Sequence, residues 1–360
     1  MTETQALKPG ATIGILGGGQ LGRMLSVAAS RLGFVTHIYE PGANPPAGQV
    51  ADRVTTAAYD DVDALTTFAA SVDVITYEFE NIPTAALDIL ESHRPIRPGR
   101  EALRVSQDRL TEKNFLRDLG LTTAPFADIS DQASLDAALA EIGAPAILKT
   151  RRFGYDGKGQ ARIMTLEDAP QALADMAGAP ALLEGFIDFS HEVSVIAARG
   201  LSGEVACYDP GENVHLDGIL HTTKVPAKLT NSQRMDAVLL AAKILNALDY
   251  IGVLGVELFV TPQGLVVNEI APRVHNSGHW TQNGCAVDQF EQHIRAVVGW
   301  PLGDGQRHSD VVMENLIGDD MDRVPELAKE ADCAIHLYGK ADVKPGRKMG
   351  HVNRVVRTKA

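Results

Sequence analysis

Apolar residues in the first hundred positions form short runs separated by a glycine loop and a helical pattern. The segment TIGILGGGQLGRMLSVAASRLGFVTHIYE, which begins at Thr12, predicts a strand, a glycine turn, a helix and a second strand. Another apolar run from Val72 to Tyr77 predicts a further strand. We therefore expect an open, mostly parallel sheet that binds its ligand at the carboxyl ends of the strands.

The next region predicts a small α+β unit that follows a proline-containing boundary at residues 94–99. Charged and apolar residues recur at helical spacing from Ser106 to Leu119, and Gly120 is a typical C-terminal cap. An alanine-rich helix and two strands joined by a glycine-rich loop complete the unit, near residues 134–142, 146–149 and 160–164.

A larger unit with strands, a long helix and a hairpin is predicted next, near residues 192–198, 204–208, 232–248 and 253–271. In the hairpin, the turn at residues 261–264 places Glu257 roughly opposite Asn268 and within one residue of Glu269. Two such close carboxylates repel each other unless a cation or a shared proton lies between them. Mg²⁺, held by carboxylates and substrate phosphate oxygens, suits them better than Zn²⁺.

A second interpretation of the hairpin remains open. One glutamate would lie on the solvent face of an edge strand, and the other would form a salt bridge with Arg273.

Composition excludes several classes of protein. The chain has 360 residues, of which 45% are hydrophobic and 22% charged, and lacks an apolar run near the roughly 18 residues of a membrane helix. Its formal net charge of -13 disfavours binding to nucleic acid. An odd number of widely spaced cysteines, together with a polar start without a signal-peptide core, favours a reducing cytoplasm.

The loop from Gly17 to Gly22 fits the pattern GxGxxG between a strand and a helix, and Glu40 lies where a ribose-binding acid would follow. Alone, this pattern indicates an NAD-dependent enzyme. A glycine loop at a helix N-terminus also binds other phosphates, because free N–H groups and the helix dipole attract any anion. Glycines that serve only the tight turn are a third possibility.

A second loop, KTRRFGYDGKGQ from Lys149 to Gln160, combines three glycines with four cations. Its glycines allow backbone N–H groups to approach polyphosphate, and Lys149 and Lys158 offer point charges. Its place in a small unit predicts a lid that excludes water. The Walker A spacing is missing, and a solvated basic loop is the alternative interpretation.

Other candidate groups carry weaker signals. The strand end Glu184–Ile187 offers backbone groups to an adenine edge and an acid to a ribose. Possible donors near the hairpin carboxylates are His215, Arg273, His275 and Asn276, although a lone histidine more often has a structural role. A Cys285 nucleophile paired with His275 or His279 is poorly supported by proximity in sequence alone.

In this order, the lid loop, the Glu184 strand and the paired carboxylates resemble an ATP-grasp enzyme. The strings GGGQLGRM, YEFEN, DRLTEK, FGYDGKGQ, DGILHTT, NEIAPRVHNSGHWTQ and KPGRKMGH resemble the 5-(carboxyamino)imidazole ribonucleotide synthase (PurK) family over nearly the whole chain. The resemblance implies an α/β and α+β protein with an ATP-grasp fold. Its expected parts are a Rossmann-like domain (1–105), a small lid subdomain (106–188), a large antiparallel subdomain with the metal hairpin (189–300) and a strand-rich C-terminal subdomain (301–360).

The resemblance also implies a reaction and its ligands. Members join bicarbonate to ATP as carboxyphosphate and then carboxylate 5-aminoimidazole ribonucleotide. Mg²⁺, or Mn²⁺ in its place, would bind Glu257 and Glu269. ATP contacts are expected from Arg109, Lys149, Gly154, Tyr155, Asp156, Gly157, Lys158, Gly159, Gln160, Glu184, Gly185, Phe186, Ile187, Glu192, His215, Asn268 and Glu269.

For the other two substrates, the resemblance implies a second set of residues and a homodimer. The ribonucleotide phosphate would meet Gly19, Gln20, Leu21 and Glu78, with Lys340, Arg347 and Lys348 closing from the tail. Tyr155 and Asp156 would touch the aminoimidazole, and bicarbonate or carboxyphosphate would contact Arg273, His275, Asn276 and Ser277. An oxidoreductase would leave the lid and the carboxylates without a role, and a nucleotide sensor would not need the bicarbonate-side residues.

Overall fold

The computed structural model describes residues 6–154 and 158–356. Its first unit is the expected parallel sheet, whose strands lie in the order β3-β2-β1-β4: Thr12–Leu16 (β1), Val35–Tyr39 (β2), Arg53–Thr55 (β3) and Val74–Tyr77 (β4). The accompanying helices are Gln20–Arg31 (α1), Val62–Ala70 (α2), Thr84–Glu91 (α3) and Arg100–Ser106 (α4). The carboxyl ends of β1, β2 and β4 meet at one edge, where the glycine loop lies.

The predicted helix from Ser106 to Leu119 is instead the end of α4 followed by a separate helix, Arg109–Asp118 (α5). The break has a local cause at Asp108, the N-cap residue of α5. Its carboxylate accepts the N–H groups of Leu110 at 3.0 Å and Thr111 at 3.2 Å, which would otherwise lack a helical partner.

The small unit is an antiparallel sheet in the order β5-β8-β6-β7 with two helices beside it. Its elements are Phe126–Ile129 (β5), Gln132–Ile142 (α6), Ala146–Thr150 (β6), Gln160–Ile163 (β7), Ala169–Asp175 (α7) and Ala181–Gly185 (β8). Lys149 pairs with Gln160 across β6 and β7, so the predicted lid loop extends from the open end of this pair.

The large unit is one antiparallel sheet with strands in the order β14-β13-β9-β11-β12-β15-β17-β16 and with β10 beside β9. Its strands are His191–Arg199 (β9), Val205–Cys207 (β10), Gly211–Leu216 (β11), Ile219–Val225 (β12), Gly252–Thr261 (β13), Gly264–Ala271 (β14), Asp310–Ile317 (β15), Cys333–Leu337 (β16) and Lys348–Val356 (β17). The C-terminal strands therefore continue this sheet. Its helices are Asn231–Ala247 (α8), Thr281–Gly284 (α9), Gln289–Val298 (α10) and Val324–Leu327 (α11).

The hairpin of β13 and β14 forms as predicted, but its register differs from the simple expectation. Leu258 pairs with Val267, and the next pair is Glu257 with Glu269, so Asn268 is an extra residue in a β-bulge. Residues directly opposite each other on antiparallel strands share a face. The bulge therefore brings both carboxylates to the same face of the sheet.

Helix α8 packs its apolar face against the large sheet. Ala237, Ala241, Ile244 and Leu245 recur at intervals of three or four residues and are fully buried. Leu239 lies on the opposite face of the helix and is 59% exposed. In residues 6–154 and 158–356, no helix, α8 included, combines the length and apolar character needed to span a bilayer.

We predict that Leu245→Ala lowers the free energy of unfolding by about 3 kcal/mol, because it removes buried methyl groups and leaves a cavity. Urea denaturation followed by circular dichroism measures the change. Leu239→Ala on the same helix is the matched control and should change that free energy by less than about 0.5 kcal/mol. Equal losses in the two variants would contradict the packing described for α8.

Candidate active site

The glycine loop binds two carboxylates of the protein itself. Glu40 accepts the Gly18 N–H at 2.8 Å, and Glu78 accepts the N–H groups of Gly19 and, at 2.5 Å, Gly22. A Cβ at Gly17 would lie 2.5 Å from the Glu78 side chain, so close approach requires glycine there. Glu40, which would bind ribose in an NAD enzyme, is thus already bound to backbone amides.

Two other residues of this loop were predicted to contact the ribonucleotide phosphate. Leu21 is buried in the core, whereas Gln20, the first residue of α1, is partly exposed. Burial is the main influence on the Glu78 carboxyl and raises its pKa, although the amides of Gly22 and Gly19 oppose the shift. The glycine loop is therefore an acid-lined turn, and a phosphate could approach only beside Glu78.

The C-terminal strands reach this same region. Gln49 links the two parts because its amide donates to the Gly339 carbonyl at 2.7 Å and accepts from Arg23 at 2.8 Å. The Lys340 ammonium donates to the Lys348 carbonyl at 2.6 Å and lies 5.6 Å from the centre of the Tyr338 ring. The predicted meeting of the glycine loop with the basic tail is thus possible in this fold.

Lys348 also lies close to two histidines that were predicted as site residues. Its positive charge opposes protonation of His215 and His275, in each case as a smaller influence than burial. Arg347 is placed differently, since its guanidinium donates to the Asp342 carbonyl at 2.9 Å within the tail. Lys348 is therefore the tail cation nearest the histidine side of the site.

Glu257 and Glu269 form the acidic centre of the site. The Glu257 carboxylate lies 3.5 Å from His275 Nε2 and 3.4 Å from the Asn268 amide, while Arg109 donates to Glu269 at 3.0 Å. Burial, followed by the charge of Glu269, raises the pKa of Glu257. Burial also acts on Glu269, but Arg109 outweighs it and lowers the pKa of that carboxyl.

These two carboxylates fit a hard divalent cation. A cation between them would relieve the repulsion that, after burial, raises the pKa of Glu257, and the side chains retain exposed fractions of 16% and 38%. Within the described part of the chain, no group of three or more His, Cys, Asp or Glu residues is arranged around a metal site. The pair would therefore need further oxygen ligands, which phosphate groups supply for Mg²⁺.

The alternative interpretation of the hairpin is wrong about the salt bridge with Arg273. Glu269 pairs with Arg109 rather than Arg273, and Arg273 pairs with Glu80 at 2.8 Å. Glu80 was missed as a site residue, although its position just after β4 was a usable signal, because strand ends of a parallel sheet face the ligand. Its carboxylate fixes the Arg273 guanidinium beside the acidic centre.

His275 is held by a chain of hydroxyl groups. The Ser194 hydroxyl donates to Ser277 Oγ at 2.6 Å, and Ser277 Oγ lies 2.8 Å from His275 Nδ1. Ser277 therefore donates to Nδ1, which leaves the ring proton on Nε2, facing Glu257. Burial, followed by Arg273, lowers the pKa of His275 to about 3. His275 is thus a neutral N–H donor at the site.

Two neighbours of His275 point away from the cleft. Ser277 is 1% exposed and contacts His275 and Ser194, while the Asn276 amide forms a reciprocal pair with Asn315 at 2.9 and 2.8 Å. The contact of Asn276 with an anion stays a prediction. Ser194 and Asn315 were missed because a single polar residue in a buried strand carries no recognisable signal.

On the lid side, Glu184 is shared by two lysines. Lys149 lies 3.0 Å and Lys113 3.4 Å from the same Glu184 oxygen, and the acid is 4% exposed. Burial opposes ionisation of Glu184, but both lysines outweigh it and lower its pKa. Lys149 is therefore fixed at the entrance of the lid, and Glu184 has a structural ion pair in addition to its predicted ribose contact.

The strand end beyond Glu184 is partly committed to protein contacts. The N–H groups of Gly185 and Phe186 donate to the carbonyls of Pro125 at 2.8 Å and Pro145 at 3.2 Å. Only their carbonyl groups, together with Ile187, remain for the predicted adenine edge. The Phe186 ring is 52% exposed and offers an apolar surface to a base.

The described residues at the start of the lid loop border the cleft. Gly154 lies beside Arg109, and a Cβ at Gly159, where φ is +69°, would lie 2.5 Å from Thr150 Oγ1. The cleft is lined by Glu80, Arg109, Gly154, Glu269, Arg273 and His275. Lys158 and Gln160 form the far side of the loop, while the predicted residues Tyr155, Asp156 and Gly157 lie outside the described residues.

The suggested cysteine nucleophile is not supported. Burial raises the pKa of Cys285 to about 12, so the sulfur is a thiol rather than the thiolate that attacks.

A parallel-sheet domain, a small lid unit and a large antiparallel unit with paired carboxylates define the class of ATP-grasp enzymes. The profile of the ATP-grasp domain matches residues 114–290. Those of the ribonucleotide synthetase preATP-grasp domain and the phosphoribosylaminoimidazole carboxylase C-terminal domain match residues 10–107 and 311–360. The predicted fold class is confirmed.

Relatives of known function narrow this class. An N5-carboxyaminoimidazole ribonucleotide synthase of Brucella melitensis is 56% identical over 98% of both chains. The solved N5-carboxyaminoimidazole ribonucleotide synthetase of Thermus thermophilus is 44% identical over 96% of this chain and 93% of its own, with a TM-score of 0.90. The Aspergillus clavatus enzyme, solved with ADP and 5-aminoimidazole ribonucleotide, is 32% identical over 97% and 94%, with a TM-score of 0.91. The chain belongs to the N5-carboxyaminoimidazole ribonucleotide synthase family, and the oxidoreductase alternative is wrong.

His215 and Glu192 provide a test of the site electrostatics that does not require turnover. His215 Nδ1 lies 2.9 Å from a Glu192 oxygen. Burial lowers the pKa of this histidine, but the Glu192 contact and the Glu257 charge together raise it above its usual value. We predict that Glu192→Gln lowers the pKa of His215, as measured by NMR titration of the ring protons. Protonated His215 would then be lost at a lower pH than in the wild type.

Glu212→Gln is the matched control. Glu212 lies on β11, the strand of His215, but its carboxylate accepts the Lys228 N–H at 3.0 Å. Its titration of His215 should match the wild type. An unchanged His215 titration in Glu192→Gln would show that the pair does not control this histidine.

Proposed function

We propose that this chain uses ATP and bicarbonate to carboxylate 5-aminoimidazole ribonucleotide on its exocyclic amine. The products are N5-carboxyaminoimidazole ribonucleotide, ADP and phosphate, and the reaction belongs to purine biosynthesis. The observation that carries this proposal is that Glu269 lines one cleft with Arg273 and His275, while its partner Glu257 lies 3.5 Å from His275 Nε2. A phosphate-binding centre and an anion-binding group thus lie side by side.

ATP would lie between the lid loop and the hairpin, with its phosphates toward Arg109 and Lys149. Both cations are already oriented by carboxylates, Glu269 and Glu184, so they need little rearrangement to meet the phosphates. Asn268, Glu192 and His215 lie on the same side of the large sheet as the hairpin carboxylates and complete the proposed nucleotide contacts. ATP is the co-substrate of this class of enzyme.

Mg²⁺, or Mn²⁺, would be held by Glu257 and Glu269 together with phosphate oxygens. When bound, the ion would neutralise the charge that develops on the transferred phosphoryl group. The residues of this chain would orient the phosphates: Arg109 from the first turn of α5 and Lys149 from the end of β6.

Bicarbonate would bind at Arg273 and His275. A planar anion suits the guanidinium fork, and neutral His275 can donate its Nε2 proton to an oxygen. A bicarbonate oxygen would attack the γ-phosphorus of ATP with ADP as the leaving group. The resulting carboxyphosphate would break its C–O bond to release carbon dioxide and phosphate.

The amine of 5-aminoimidazole ribonucleotide would then attack the carbon of carbon dioxide and lose a proton, which forms the carbamate. Carboxyphosphate is sensitive to water, which gives the lid loop its proposed purpose. Tyr155 and Asp156 are the proposed contacts of the aminoimidazole. The ribose phosphate would lie beside Gly19, Gln20 and Glu78, closed by Lys340, Arg347 and Lys348.

A cytoplasmic homodimer without nucleic-acid or membrane partners is the proposed working state. The described cysteines, Cys207, Cys285 and Cys333, are free thiols, and the net charge of -13 disfavours polyanions. Sedimentation velocity distinguishes a dimer from a monomer.

We predict that purified protein with Mg·ATP and bicarbonate releases ADP faster when 5-aminoimidazole ribonucleotide is added, and only with a divalent cation. Glu269→Gln should lower this rate at least about 100-fold, because loss of a metal ligand removes several kcal/mol of charge stabilisation. A coupled assay for ADP measures both effects. Glu326→Gln, at an acid that is 75% exposed, should retain the wild-type rate. No stimulation by the ribonucleotide would reject the proposed substrate.

We predict that Lys348→Ala raises the KM for 5-aminoimidazole ribonucleotide about tenfold, because a charged hydrogen bond to phosphate is worth about 1.5 kcal/mol or more. The KM for ATP should stay within about twofold of the wild type. Substitution is preferable to truncation, since β17 lies inside the large sheet. Lys344→Ala, at an exposed lysine of the same tail, is the control. An unchanged ribonucleotide KM would remove Lys348 from the phosphate site.

A further inference from the structure

The strand that carries Asn268 and Glu269 is the edge strand of the large sheet. On its inner side β14 pairs with β13, and among residues 6–154 and 158–356 no strand of that sheet lies on its outer side. The outward backbone groups of an edge strand need other partners when they are buried. They need them most at the bulge, where the regular ladder is interrupted.

Side chains of α5 supply these partners. The Lys113 ammonium donates to the Asn268 carbonyl at 2.8 Å, and the Glu112 carboxylate accepts the Ile270 N–H at 2.6 Å. At the residue just before the bulge, the Val267 N–H donates to the Thr122 carbonyl at 2.8 Å. A donor and an acceptor side chain thus take the place that an adjacent strand would occupy.

Both side chains are buried to an extent that is unusual for charged residues. Lys113 is 1% exposed and Glu112 is 3% exposed, and Lys113 also contacts Glu184 at 3.4 Å. Four residues earlier on the same helix, Arg109 reaches Glu269. Side chains of helix α5 therefore contact the Glu269 carboxylate and the β14 backbone on either side of Glu269, at Asn268 and Ile270.

The register shows what these contacts maintain. If the ladder continued regularly beyond the Leu258–Val267 pair, Glu257 would face Asn268, and Glu269 would point to the opposite face of the sheet. The bulge is what turns Glu269 toward Glu257. A substitution that releases the bulge would therefore separate the two carboxylates without altering either of them.

We propose that Glu112 and Lys113 are positioning residues that hold the Asn268 bulge and so keep Glu269 beside Glu257 for the divalent cation. This inference rests on the proposed metal role of Glu257 and Glu269. Neither Glu112 nor Lys113 needs to touch the cation, because both act through the backbone of β14.

The test compares Glu112→Met, which keeps the length but removes the acceptor, with Glu112→Gln, which keeps an acceptor oxygen for the Ile270 N–H. The first readout needs no turnover: Mn²⁺ binding to the enzyme with ADP, measured by electron paramagnetic resonance, should be about tenfold weaker in Glu112→Met. The others are the Mg²⁺ concentration that gives half-maximal ADP release and the KM for the ribonucleotide. Glu112→Met should raise the Mg²⁺ requirement about tenfold, as losses of supporting contacts to metal ligands do, while the ribonucleotide KM stays unchanged. Glu112→Gln should remain within about threefold of the wild type.

Lys113→Met is the second variant and should raise the Mg²⁺ requirement in the same way. Asp118→Asn, at an exposed acid of the same helix, is the matched control and should behave as wild type. A general loss of folded protein would lower kcat in proportion, without changing the Mg²⁺ requirement. If Glu112→Met does not fold, the test rests on Glu112→Gln. A tenfold rise in the Mg²⁺ requirement of Glu112→Gln would overturn the acceptor role.

Glu269→Gln, assayed in parallel, separates the two levels of the proposal. If it retains wild-type Mg²⁺ dependence, the metal assignment itself fails. If Glu269→Gln loses activity while folded Glu112→Met keeps the wild-type Mg²⁺ requirement, only the positioning role is overturned.

Discussion

The active site depends on one extra residue in one strand. Because Asn268 is inserted between two regular pairs of the hairpin, Glu269 lies opposite Glu257 and both carboxylates lie on the same face of the sheet. Like charges at that spacing are unfavourable, and the buried position of Glu257 makes them more so. The fold therefore holds a repulsive pair in place through backbone geometry, and a cation is the natural source of compensation.

The cations around the cleft, unlike the two hairpin carboxylates, each lie beside a group of opposite charge. Arg109, Lys149 and Arg273 are each oriented by a carboxylate, at 3.0, 3.0 and 2.8 Å. Removing one partner of a buried pair is costly, about 3–5 kcal/mol, because a charge is left without compensation. Such pairs therefore fix the directions of the cations before any anion arrives, which is how preorganised sites stabilise developing charge.

Local patterns in the sequence predicted the parts of this structure that depend on near neighbours. The first strand-helix-strand unit follows from its apolar periods, and the hairpin follows from two apolar runs around a proline-glycine turn. The bulge could not be predicted in this way, because it depends on contacts with α5, about 155 residues away in sequence. Ser194 and Asn315 were missed for the same reason: each acquires its role only from a partner on another element. Glu80 differs, since its position just after β4 was a usable signal.

The glycine loop shows why a motif must be interpreted through its partners. The spacing from Gly17 to Gly22 matches that of a dinucleotide fingerprint, and the strand and helix around it form as that fingerprint requires. However, Glu40 and Glu78 accept the amide protons that would otherwise face a pyrophosphate. Two carboxylates at these amides also repel an anion. The backbone turn alone therefore does not define the ligand, because side chains from the ends of β2 and β4 determine which amides remain available.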